Sequence, residues 1–347
     1  MYFVLIRHIL SFVFSFFLCF YLVPLMIQAS KKLKIFDVPD GKIKVHKNPT
    51  PYLGGVAIYI SFVASAALFY PVENKILWLI LGSTFLFLVG LLDDLRPLSP
   101  KQKLIGQIIA TLCFLKGGFS LKTYFFESYI NIFASGFWIL SIINAFNLVD
   151  VMDGLASTLA ITSASSFAII AFVLGKYDLT LLLVSFLGSV IAFLFFNRPP
   201  AKIYLGDAGS MFIGGFLSAI PLLIRWSMGL REFSLFPEFI SHNSFLEIIF
   251  SAAIPVMCLG IPALEILYLV AIRTFKGIPF YSGSPHHFSI YLKNKDWRTG
   301  SVLIFSALMS SILSLIAILF MFGFLNFYLF LAIVFAFLAA WHLAIYQ

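Results

Sequence analysis

Apolar runs close to twenty residues long recur from one end of this chain to the other, and no other feature constrains its fold as strongly. A run of that length is what an α-helix needs to cross a hydrocarbon core about 30 Å thick. Eleven candidate spans can be marked, at 3–27, 53–70, 76–92, 103–117, 130–146, 155–174, 179–196, 209–225, 248–272, 301–322 and 325–345. The fourth is the weakest, being short and carrying Gln107. Charged residues make up only 11% of the 347 residues, against about a quarter in soluble domains, so the folded surface cannot be water-facing throughout. The 42 phenylalanines suit lipid-facing helices. No hydrophilic stretch is long enough to fold alone. The expected architecture is therefore all-α, a polytopic membrane bundle of about 10–11 transmembrane helices forming a single domain over 1–347.

The first apolar run, Phe3 to Ile27, is too long for a signal peptide and is followed by Lys31, Lys32 and Lys34, so it reads as a retained helix. One set of loops (28–52, 93–103, 147–154, 197–208 and 273–300) holds 16 of the 23 Lys and Arg residues. Basic loops stay in the cytoplasm, which places the N-terminus outside and the C-terminus inside, with Arg7 a minor dissent. The net charge of +8 then reflects topology and anionic headgroups. Nucleic-acid binding is not expected, because no basic stripe lies in polar sequence. Cys19, Cys113 and Cys258 all sit in apolar runs without metal or disulfide spacing and read as small buried hydrophobes.

The basic face is also the chemically dense one. Asp93 and Asp94 end the third span in Gly90-Leu-Leu-Asp-Asp. Carboxylates beside hydrocarbon are costly unless a cation or a function accounts for them, and neighbours on a helix point about 100° apart, toward different partners. The plainer reading is a solvated helix end beside Arg96. Asn147, Asp150 and Asp153 follow the fifth span at intervals of three; on a helix they would form one ridge of oxygen ligands suited to Mg²⁺. The plainer reading is a turn closed by Gly154. Asp207, in Gly206-Asp-Ala-Gly-Ser210, begins the eighth span and is either its N-cap or a metal ligand. Lys47 and Thr50 precede the second span and could hold phosphate oxygens beyond their topological role. His286 and His287 lie in the longest inside loop, without the spacing of a zinc site, and suit phosphate or proton traffic. Glu265, within the ninth span, faces a polar cavity or the bundle interior and has no assigned role.

Five phrases in this order resemble one family. They are His46-Lys-Asn-Pro-Thr-Pro with Gly54-Gly55, Gly90-Leu-Leu-Asp-Asp, Asn147-Leu-Val-Asp-Val-Met-Asp-Gly, Tyr204-Leu-Gly-Asp-Ala-Gly-Ser, and Pro285-His-His-Phe. The chain resembles the polyprenyl-phosphate N-acetylhexosamine-1-phosphate transferases, which include the phospho-MurNAc-pentapeptide transferases. The resemblance implies ten or eleven helices, a cytoplasmic-face site and a bacterial inner-membrane location. It implies a UDP-linked amino sugar, a polyprenyl (undecaprenyl) phosphate acceptor, release of UMP, and Mg²⁺, with Mn²⁺ as an alternative ion. A homodimer is compatible with it. Residue by residue, it implies Asp93, Asp94, Asp150 and Asp153 as catalytic groups and Asp207 with Asp150 as metal ligands. Lys47, Thr50, Asn147, His286 and His287 become substrate contacts. The histidine loop has two histidines in place of the three found in pentapeptide-transferring enzymes, which favours a simple UDP-HexNAc over the pentapeptide donor. A transporter would place its acids at mid-membrane, and a scaffold would need no acid cluster.

Overall fold

A computed structural model of the chain describes residues 2–37, 50–71, 74–121, 127–224, 244–279 and 285–346. Among them are thirteen helices: α1 (Tyr2–Leu33), α2 (Gly54–Phe69), α3 (Asn74–Leu95), α4 (Pro100–Lys116), α5 (Ser128–Val149), α6 (Leu155–Val173) and α7 (Tyr177–Asn197), then α8 (Gly206–Ile224), α9 (Ser244–Leu259), α10 (Ile261–Phe275), α11 (Phe288–Asn294), α12 (Thr299–Met321) and α13 (Phe327–Tyr346). Two short strands, β1 (Phe36–Asp37) and β2 (Thr50–Pro51), pair antiparallel. The all-α membrane architecture expected from the apolar runs is the one observed, and the chain is a multi-pass membrane protein.

Among the described residues, eight helices are long and apolar enough to cross a membrane, and the pair α9–α10 makes a ninth if counted as one span. Three expected spans differ from the sequence reading. The ninth is not one helix: α9 and α10 meet at an angle of 95°. Gly260 takes φ 58° there, and Pro262 follows it at the start of α10, so the ladder of helical hydrogen bonds cannot run through. Helix α2 is apolar but has only 16 residues, about 24 Å at 1.5 Å per residue. Helix α4, at 17 residues, is both short and polar, with Lys101, Lys103 and Gln107 on it. It is anchored by a capping box: Ser99 Oγ accepts from Gln102 N, and Gln102 Oε1 accepts from Ser99 N at 2.8 Å.

Helix α8 is the most enclosed span, packed against α2, α3, α5 and α6. Phenylalanines do more than face lipid: Phe62, Phe186 and Phe216 are fully buried between α2, α7 and α8, with Phe186 and Phe216 stacked at 4.6 Å. Ser11, Ser65 and Ser185 hydrogen-bond one another where α1, α2 and α7 cross. In a medium without water such hydroxyls pair across helices. Cys19 and Cys258 are buried, Cys113 is half-buried, and all three are free thiols.

Candidate active site

The lead-in to α8 is zipped to the lead-in to α2. Pro51 O accepts from Tyr204 N at 2.7 Å, Tyr204 O accepts from Gly54 N at 3.1 Å, and Leu205 O accepts from Gly55 N at 2.8 Å. Gly206, at φ 74°, lies where a Cβ would come within 2.6 Å of Asp94 Oδ2, so only glycine fits this approach. Two of the sequence phrases are therefore one structural unit at one end of the bundle.

The neighbours Asp93 and Asp94 do face different partners, and neither is a solvated helix end. Asp94 accepts from Asp207 N (2.8 Å) with Oδ1 and from Ala208 N (3.0 Å) with Oδ2, so it caps α8 from a different helix. Asp93 accepts from Leu98 N at 2.5 Å and pairs through Oδ2 with Lys103 Nζ at 2.8 Å. The cap of α8 is thus Asp94, and the Asp207 side chain is released for other work. Asp207 Oδ1 accepts from Asn147 Nδ2 at 2.6 Å, and Oδ2 pairs with Lys103 Nζ at 2.6 Å. Asn147 also donates to Ser210 Oγ at 3.0 Å. The ends of α3, α4, α5 and α8 converge through these contacts.

The ridge of Asn147, Asp150 and Asp153 expected on a continuous helix does not form. Helix α5 stops at Val149, and the chain turns through Asp150 to Gly154, whose φ is 74°. Asp153 instead accepts from Ala201 N at 2.9 Å. Asn197 locks the turn: its Oδ1 accepts from Gly154 N and Ser157 Oγ, and its Nδ2 donates to Ile203 O. Burial raises the Asp150 carboxyl well above the usual carboxylate range, and the neighbouring charges of Asp207, Asp94 and Asp153 push the same way. Five carboxylates thus gather in one region, with Lys103 the cation that two of them grip.

The clustered carboxylates of Asp93, Asp94, Asp150, Asp153 and Asp207 offer oxygen donors, the type that a hard divalent cation takes. Among the described residues no three acidic or imidazole groups converge into a ready-made metal cage. Mg²⁺ keeps its waters and binds through one or two carboxylates plus substrate phosphates, so such a cage is not a requirement for it.

Thr50 is buried beside a cavity of about 380 Å³ that Lys31, Phe36 and Lys202 also line. Lys47 lies outside the described residues. The two histidines part company. Lys276 Nζ donates to His286 Nε2 at 2.8 Å, and burial together with Lys276, Arg273 and His287 holds His286 below the ordinary imidazole range. His287 turns inward to Glu265, with Nδ1 and Oε1 3.1 Å apart.

Lys103 was not singled out from the sequence, nor was a role given to Glu265. The signal for Lys103 was its place at the start of an apolar run, one capped turn after the paired aspartates.

A model of the family described as glycosyl transferase family 4 matches residues 76–225. The chain is 29% identical over 293 residues to a probable undecaprenyl-phosphate N-acetylglucosaminyl 1-phosphate transferase of Bacillus subtilis (strain 168), covering 82% of this chain and 76% of the relative. It is 33% identical over 230 residues to a phospho-N-acetylmuramoyl-pentapeptide-transferase of Streptococcus pneumoniae serotype 19F (strain G54), covering 59% of this chain and 71% of the relative. A protein of the same description from Streptococcus pneumoniae (strain CGSP14) is 34% identical over the same coverage.

Proposed function

This chain belongs to glycosyl transferase family 4, and from that premise we propose that it transfers a sugar 1-phosphate from a UDP-linked N-acetylhexosamine to a polyprenyl phosphate, with release of UMP. The observation that carries the reading is the Asp93–Lys103–Asp207 array, an ammonium held by two carboxylates where the ends of four helices meet. Both substrates are anionic, and bringing two phosphates together requires fixed positive charge. Mg²⁺ would be held by Asp207 and Asp150, and it supplies charge neutralisation at the phosphoryl oxygens.

The chain's own residues do the rest. Asp94 sets the position of Asp207 by capping α8. Asn147 fixes the carboxylate plane of Asp207 from α5. Lys103 is the donor that can pass from Asp93 and Asp207 to a phosphate oxygen when substrate arrives. Lys31 and Lys202, beside Thr50, add positive charge next to the turn that carries Asp153. A site at helix ends lets the lipid acceptor stay in the bilayer while the nucleotide comes from water.

The donor is tested by UMP release from purified protein with polyprenyl phosphate and a panel of UDP-sugars. We expect turnover with a UDP-N-acetylhexosamine and none with UDP-MurNAc-pentapeptide, because the loop carries only two histidines. UMP release from the pentapeptide donor alone would establish the second reading, which the 33–34% identity to pentapeptide transferases favours.

The basic-residue asymmetry supports a bacterial cytoplasmic membrane location with the site, Lys202 and the C-terminus inside. Lys176 and Lys202 are exposed at opposite ends of α7. Single cysteines at the two positions, with Cys113 replaced, should label from opposite sides of sealed cells. Labelling of both by an impermeant reagent added outside would overturn the orientation.

A further inference from the structure

Glu265 is 1% exposed, within a span, and none of the contacts described for the acid cluster involves it. A buried carboxylate is tolerated only when paired or hydrogen-bonded. Here Oε1 takes two donors, Phe288 N at 3.2 Å and His287 Nδ1 at 3.1 Å. Oε2 is buried and has no hydrogen-bond partner among the described residues. Arg273, two turns further along α10, is the other charge that acts on Glu265. The helix break at Gly260 is what brings Glu265 here, because it turns α10 by 95° and packs it against α5, the helix that carries Asn147.

A purely structural cap of α11 would need only an acceptor for Phe288 N. The imidazole contact is additional, and it has a chemical consequence. A carboxylate accepting from Nδ1 makes Nδ1 the protonated nitrogen and leaves Nε2 to act on something else. Among the described residues His287 Nε2 makes no hydrogen bond. Other carboxylates placed behind a working imidazole do the same two things: they hold the ring plane and they stabilise its positive charge when it gains a proton.

We propose that Glu265 is a positioning residue that holds His287 with Nδ1 as donor, so that Nε2 meets an anionic oxygen of the nucleotide-linked donor. The proposal rests on the transferase reading above and names the residue behind one of its substrate contacts. His286, engaged by Lys276, does not share this arrangement.

The test uses Glu265→Gln, which keeps an acceptor for both N–H groups but removes the charge, together with His287→Ala and the double variant. UMP release is measured with the donor that the wild type accepts. We expect Glu265→Gln to lower kcat/KM for the donor by about 10- to 100-fold, by analogy with carboxylates that orient metal-bound imidazoles. The KM for the lipid acceptor should stay unchanged, and the substitution should have no further effect once His287 is alanine. Losses that multiply in the double variant, or equal losses toward both substrates, would reduce Glu265 to a helix cap. A second measurement covers a Glu265→Gln protein that does not fold: nitrogen NMR of the wild type, with His287→Ala for assignment, before and after addition of UDP. The Nδ1-protonated form with a UDP-dependent shift at Nε2 is expected, and the Nε2-protonated form or no shift refutes the proposal. A wild type that releases UMP from no UDP-sugar overturns the transferase reading itself, whereas an active wild type with multiplying losses overturns only the role of Glu265.

Discussion

Asp207→Asn should reduce UMP release by about 10³-fold, or ~4 kcal/mol in the barrier, while the protein stays folded and inserted. The size follows from what Asp207 does. Its side chain is not the cap of α8, since Asp94 holds the backbone amides of Asp207 and Ala208. The carboxylate instead receives Asn147 and Lys103 and is available to a cation. Asparagine can still accept from Asn147, so the packing survives and the negative charge is what disappears. Removing a group that organises transition-state charge costs far more in rate than in stability. Asp207→Ala should show the same loss. Near-normal turnover of either variant at ordinary Mg²⁺ would remove Asp207 from the reaction.

Lys103→Met should be the most damaging single change to stability, and it should lower turnover as well. The side chain is 21% exposed and pairs with Asp93 at 2.8 Å and Asp207 at 2.6 Å. Taking away one member of a largely buried ion pair leaves uncompensated charge, which costs about 3–5 kcal/mol. Here two carboxylates would be left facing each other. Thermal unfolding in detergent should therefore show a large drop, with turnover falling at least about 10²-fold. Adding Asp93→Asn to Lys103→Met should restore much of the stability, because it removes the repulsion, but should not restore activity. A double variant no more stable than Lys103→Met would show that the ion pair is not what Lys103 contributes.

The two predictions concern residues of different legibility. Asp207 stands out in the sequence because an acid at the start of an apolar run must be explained. Lys103 does not, because a lysine at a helix end within the basic set of loops is accounted for by the loop charge pattern alone. Asp94 was readable as a candidate, but its cap of α8 was not, since the two helices are more than a hundred residues apart in the chain. Asn147, Asp150 and Asp153 looked like one helical ridge by spacing. The helix ends at Val149, and Asn197 draws the turn toward Ile203 instead. Local periodicity cannot report a competing hydrogen bond from forty residues away.

Membrane residence, the all-α class and the grouping of the acidic phrases with the basic loops follow from the sequence by itself. Each depends on quantities that are local or additive: apolar length set against bilayer thickness, and lysine and arginine summed loop by loop. The tertiary structure alone decided which carboxylate caps, which grips the ammonium, and which histidine leans on Glu265. It also decided that the ninth span breaks at Gly260 and presents that glutamate at all. Those outcomes turn on distances of about 3 Å between groups brought together by packing, where one partner excludes another. A linear pattern carries no information about which of several available partners wins.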